Sequence, residues 1–138
     1  MATAIVSRVR ARNVSVKGNR FMKEERGNLN GDQSIAEKYE LWGKISGDVR
    51  VVDGGKFYMR GMIYGDLIVE YGGRVHIYGH VSGNLVVYRG SKVIVSGIVS
   101  GNATNEGGRL YIDRDGQVLG KINKNKGDTQ VELKDVAD

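Results

Sequence analysis

Apolar residues recur through the middle of this chain in a fixed arrangement, five to every 18 positions. Counted from Gly43, positions 3, 7, 9, 15 and 17 are Ile45, Val49, Val51, Phe57 and Met59. From Gly61 they are Ile63, Leu67, Val69, Val75 and Ile77, and from Gly79 they are Val81, Leu85, Val87, Val93 and Val95. A fourth unit from Gly97 gives Val99, Ala103, Leu110 and Ile112 after losing one residue before Gly107. Apolar pairs two residues apart read as short strands with one buried face. Gly at positions 1, 5 and 12 marks sharp corners between them. A supersecondary unit repeated at a fixed period implies a solenoid, in which each coil is buried by its neighbours.

The expected fold is therefore all-β: a triangular parallel β-solenoid of about 18 residues per rung and five to six rungs. A right-handed β-helix is expected, because parallel crossovers favour that hand. Gly27-Asn-Leu-Asn-Gly-Asp32 and Tyr39-Glu-Leu41 make residues 27–42 a shortened rung. Ser34-Ile-Ala-Glu37 could instead be a capping box opening a helix, but the flanking glycines keep the phase of the repeat. Gly116 opens a fifth unit with Ile122 inside, Gly127 at a corner, and Val131 and Leu133 closing it. Asn105 and Lys124 stand where aliphatics belong, so the bore is expected to fray or be capped toward that end. The chain divides into a leader (1–26) with a first strand near Val14 and Val16, the solenoid (27–133), and a short tail (134–138).

Charge sharpens this division. The net +5 resides in residues 1–26, where seven bases face two acids, while the rest of the chain balances. Any attraction to an anionic membrane surface or nucleic acid would begin at Arg8, Arg10 and Arg12. The chain has no Cys, which excludes disulfides and thiolate chemistry and suits a cytoplasmic protein, with membrane association as an option. Outward positions carry two further candidates. Position 14 is a cationic column of Lys56, Arg74, Lys92 and Arg109, flanked by Tyr58, Arg60, His76, Tyr78 and Tyr111, and makes a candidate partner face. Val52, Ile68, Val86 and Tyr88 form an apolar stripe for docking, for which the chain's own leader is the simplest cover. Val131 and Leu133 are the candidate assembly end. Asp48, Asp66, Asn84 and Asn102 stack at one corner, where turn chemistry is expected before metal binding. No catalytic constellation, cofactor motif or metal cluster is apparent, so an enzyme is not expected.

The string Gly79-x-Val-x-Gly-Asn-Leu-x-Val, continuing to Gly101, resembles the bactofilins. That resemblance covers residues 43–122 and, more loosely, 27–42. It implies a bacterial cytoskeletal protein with a right-handed β-helical core that polymerises end to end without nucleotide. The hexapeptide acyltransferases share the 18-residue coil, but these rungs pair their aliphatics differently and lack the catalytic His expected in an outer loop. The leading expectation is a non-enzymatic, self-assembling scaffold whose partner is itself or another protein. The alternatives are an interaction module, such as an immunity protein neutralising a toxin, and a segment of an adhesin or phage fibre.

Overall fold

A computed structural model describes residues 12–15 and 21–132, with side chains from residue 23 onward. Within them there are strands and corners but no helix. Each rung contributes three short strands. The first face stacks β3 (Asn28–Asn30), β6 (Lys44–Ser46), β9 (Met62–Ile63), β12 (His80–Val81), β15 (Ile98–Val99) and β17 (Gln117–Val118), a six-stranded sheet with one strand per rung. The second stacks β4 (Gln33–Ile35), β7 (Val49–Val51), β10 (Leu67–Val69) and β13 (Leu85–Tyr88). The third stacks β5 (Lys38–Leu41), β8 (Lys56–Met59), β11 (Arg74–Ile77) and β14 (Lys92–Val95). Two longer strands, β16 (Ala103–Ile112) and β18 (Ile122–Val131), run through the corner between the second and third faces and join them into one sheet. The coils pair in parallel register, Leu67 opposite Val49 and Leu85, Val75 opposite Phe57 and Val93.

This register aligns the period-18 positions into five inward columns, and Ile45, Ile63, Val81, Val51, Val69, Val87, Met59, Ile77 and Val95 are almost wholly withdrawn from solvent. Removing each such side chain from water contributes roughly 1.5–3 kcal/mol, which offsets the entropy of ordering so many short strands. The shortened first rung follows the same plan. Gln33 and Ile35 pair with Val49 and Val51, and Tyr39 and Leu41 with Phe57 and Met59. The two missing residues are therefore at the corner between β4 and β5, where Ala36 and Glu37 replace the four residues 52–55. Ser34 and Ile35 are strand residues, as expected.

Two corner columns explain why the repeat is written in Gly and Asx. A Cβ on Gly61 would come 1.9 Å from the carbonyl oxygen of Gly43 in the rung before, and on Gly79 2.0 Å from that of Gly61. Only a residue without a Cβ permits that approach. At the next corner Asp32 accepts the N–H of Asp48, Asp48 that of Asp66, Asp66 that of Asn84, and Asn84 that of Asn102, each at 2.8 Å through Oδ1. Asn102 then accepts from Lys121. Every rung's side-chain oxygen thus pins the backbone of the rung that follows.

Both ends depart from the aliphatic pattern. In the segment read as leader, β2 (Phe21–Glu25) pairs in parallel with β5, and β1 (Arg12–Ser15) pairs antiparallel with β2, so the third face begins before residue 27. These strands extend the end of the third face and do not lie over the apolar stripe, which is on the second; for the described residues this corrects the expectation that the leader covers it. Toward the other end, Asn105 takes the place of the valines in its column, yet the bore does not fray there. Asn105 is fully buried, and its Oδ1 accepts the N–H groups of Gly107 and Gly108 at 2.9 and 2.8 Å. Its Nδ2 donates toward Gly108 O, Asp128 O and Thr129 Oγ1 at 2.9–3.1 Å. The amide organises the corner that lost a residue and ties β16 to β18. Beyond it Lys124 lies opposite Asn105 and is exposed, so the last rung is the more polar cover.

Candidate functional site

The third face carries the chemistry. Its outward position 14 is a column of five cations, because Lys38 stands in register below Lys56, Arg74, Lys92 and Arg109. Lys38 escaped the sequence reading, although the alignment of Tyr39 with Phe57 was enough to find it. Adjacent charges one strand spacing apart, about 4.8 Å, repel by roughly 1 kcal/mol in water before screening. Away from this column four bases have ion pairs: Lys23 with Glu37, Arg26 with Glu24, Arg50 with Glu70, and Arg60 with Glu40. Among the described residues none of the five column cations has an ion pair, and the first acid in line is Asp128, opposite Arg109 in the last rung.

Beside this column runs position 16, with Glu40, Tyr58, His76, Ile94, Tyr111 and Gln130 in register. Two shallow hollows lie along the two columns. One, of about 230 Å³, is lined by Lys56, Tyr58, Arg74, His76, Lys92 and Ile94. The other, of about 260 Å³, is lined by Lys92, Ile94, Arg109, Tyr111, Asp128 and Gln130. Lys92 and Ile94 belong to both, so the hollows form one groove along the rod axis.

Just past these strands a second column interleaves cations and aromatic rings. The Arg26 guanidinium lies 4.9 Å from the Trp42 ring centroid, and Arg60 lies 5.1 Å from Trp42 and 4.3 Å from Tyr78. Each such contact adds on the order of 0.5–1 kcal/mol at a partly exposed site. Arg60 also donates to Glu40 at 2.5 Å, and Trp42 Nε1 donates to Glu24 at 3.1 Å. Of the residues named from the sequence, Arg60 and Tyr78 therefore belong to a packed stack rather than to the open cationic column. Trp42 and Arg26 were missed, although each directly precedes the first glycine of a unit, as Arg60 and Tyr78 do.

His76 stacks on Tyr78, with ring centroids 4.0 Å apart, and its Nε2 lies 2.9 Å from Ser96 Oγ. Ser96 in turn donates to Asp113 Oδ2. The order is His–Ser–Asp with the serine in the middle. A nucleophilic triad places the histidine in the middle, where it can take the serine proton. Here the one hydroxyl proton is committed to the carboxylate, so His76 Nε2 is the donor to Ser96. Burial holds the His76 pKa below the usual imidazole value, against the attraction of Asp113 and with the repulsion of Arg60. Desolvation alone would raise Asp113, but the Ser96 hydroxyl, the N–H groups of Asp115 and Gly116, and His76 hold it below the usual carboxylate range.

The remaining candidates are more dispersed. Ile68 and Val86 are neighbours on the second face and both half-buried, whereas Glu70 stands between Val52 and Tyr88 along position 10, and the Arg50–Glu70 ion pair borders the patch. Val131 ends β18 and is 38% exposed, while Leu133, Arg8 and Arg10 lie outside the described residues. Arg12 is in β1. Among the described residues no cluster of His, Asp and Glu could hold a metal ion, and no helix is long and apolar enough to cross a membrane. Comparison with protein-family models, curated proteins and solved structures returned no match. The likeness to bactofilins accordingly rests on the sequence pattern alone.

Proposed function

We propose that this protein is a non-enzymatic structural rod that assembles with copies of itself through its terminal rungs. The observation that carries this reading is the state of the last rung. Among the described residues, β17 pairs only with β15 and β18 only with β16, so each presents an unpaired strand edge. Beneath those edges Val118 and Ile122 are half-buried and Val131 is exposed, a partly covered end of the apolar bore. At the opposite end β3 and β4 likewise have one partner each. Unpaired edges over an apolar bore are templates for another chain. Cytoskeletal assembly of the bactofilin kind is the specific form of this proposal.

Size-exclusion chromatography with light scattering, followed by electron microscopy, tests it. The wild type forms elongated multimers that grow with concentration, and Val131→Arg dissolves them without lowering the thermal midpoint substantially. A strictly monomeric wild type at high concentration refutes assembly. The five unpaired cations favour a second reading, an interaction module that binds an acidic partner. Charge reversal at Lys56, Arg74 and Lys92 then abolishes a partner interaction while leaving assembly intact.

A further inference from the structure

We propose that the groove along the third face binds a linear acidic glycan, a chain of sugars that each carry a carboxylate. This is a role beyond self-assembly, and the step between charges along the rod points to it. Five cations stand in register, Lys38 to Arg109, one per rung, over four strand spacings of about 4.8 Å each. Among the described residues none of the five has an ion pair, and the acid in line with them, Asp128, stands at the far end of the groove opposite Arg109. A bound polyanion neutralises the column and removes the repulsion along it.

Three macromolecular polyanions can be compared against that step. An extended acidic peptide shows side chains on one face every second residue, roughly 6.6 Å apart, and drifts out of phase with the rungs. Stacked bases of a nucleic acid rise roughly 3.4 Å and drift in the opposite sense. A glycan chain advances by a length close to one rung per sugar, and the long Lys and Arg stems reach carboxylates on either side of it. The groove floor agrees. Tyr58, His76, Ile94 and Tyr111 offer ring and aliphatic surface of the kind that sugar C–H faces pack upon. Rings in adjacent rungs are about one strand spacing apart, and His76 is already stacked on Tyr78, so no slot opens for a base between them.

The test uses the full chain and an oligogalacturonate of about six sugars, a length comparable to the column. Binding is measured at low salt and then at increasing salt. The wild type binds, and K56Q/R74Q/K92Q weakens binding about tenfold, since three exposed charge pairs of modest strength together amount to that factor. The triple K121Q/K124Q/K126Q, on the last rung, leaves it unchanged. In the wild type the methyl resonances of Ile94 shift on titration and those of Ile68 do not, a readout independent of whether the variants fold. Affinity falls as salt rises. No binding at low salt overturns the proposal, as does equal loss in the two triple variants. Equal affinity for an uncharged glycan of the same length overturns it too. Tighter binding of oligo-dT through the same groove overturns the assignment of the ligand. Because Val131→Arg leaves this face intact, glycan binding by that variant separates this result from the fate of the assembly proposal.

Discussion

Asn105 is the sharpest place to perturb the rod, because the four rungs before it fill its column with Ile35, Val51, Val69 and Val87. Asn105→Val continues that aliphatic column and would stabilise an ordinary core position. The structure assigns the opposite outcome. The substitution strips acceptors from the N–H groups of Gly107 and Gly108 and a donor from Gly108 O and Asp128 O. Four bonds at about 0.5–1.5 kcal/mol each, less the gain from burying two methyl groups, leave a net loss of roughly 3 kcal/mol. That loss falls on the seam between β16 and β18, so it loosens the last rung before it reaches the rest of the stack. Native-state hydrogen exchange is the suitable assay, with urea unfolding beside it. Amides of residues 122–131 exchange roughly a hundredfold faster in the variant, the factor that 3 kcal/mol implies, whereas those of β8 and β11 change less. A valine variant as stable as the wild type, with last-rung protection intact, would refute the claim that the buried amide organises this corner.

Gly61→Ala forces a Cβ against the Gly43 carbonyl and costs on the order of 3 kcal/mol, read as a lowered urea midpoint; an unchanged midpoint rejects the close approach. Asp66→Asn keeps the acceptor for Asn84 N–H and holds or raises stability, since it removes one carboxylate from the stacked Asp32–Asp48–Asp66 run, whereas Asp66→Ala lowers it by about 1 kcal/mol. For pH, His76 and Asp113 act in the same direction. Both are held below their ordinary values, so the unfolded chain takes up protons first and stability falls on acidification. The His76 contribution fades as pH drops below the ordinary imidazole value near 6.5, and that of Asp113 as pH drops below the ordinary carboxylate value near 4. Ser96→Ala moves the Asp113 pKa up toward the usual carboxylate range, a shift that NMR titration reads directly.

Residues whose roles repeat were legible, and residues whose roles occur once were not. Val69, Gly61 and Asp66 announce themselves because the same contact is made in several rungs, so composition at one phase reports one environment. Ile35 was legible as a strand residue, but not as a member of the column of Val51, because the two residues missing after it shift the phase within a single rung. Asn105 was visible as an exception that marks a frayed or capped bore, but not as the amide that organises its corner. A polar residue in an aliphatic column reads as a defect until its five hydrogen-bonding partners are located, and four of them are backbone groups that a sequence does not display. The His76–Ser96 contact joins positions of different phase, where side-chain reach decides the outcome. Resemblance to bactofilins entered through the repeated part of the chain, which constrains the fold far more than the partner.

The parallel pairing carries a kinetic consequence. From β2 to β18 each strand meets the next at a separation of 16 to 20 residues, for example Lys23 with Tyr39, Arg74 with Lys92, and Glu106 with Lys126. A sheet protein ordinarily closes long loops before its contacts form, and folds slowly for that reason. Here every closure is the same short loop, and its entropy cost is met once per rung rather than accumulated. Each rung also leaves a carboxylate or amide oxygen waiting for the backbone of its successor. A chain emerging from the ribosome can therefore lay down one coil at a time upon the last, in the order in which it is translated.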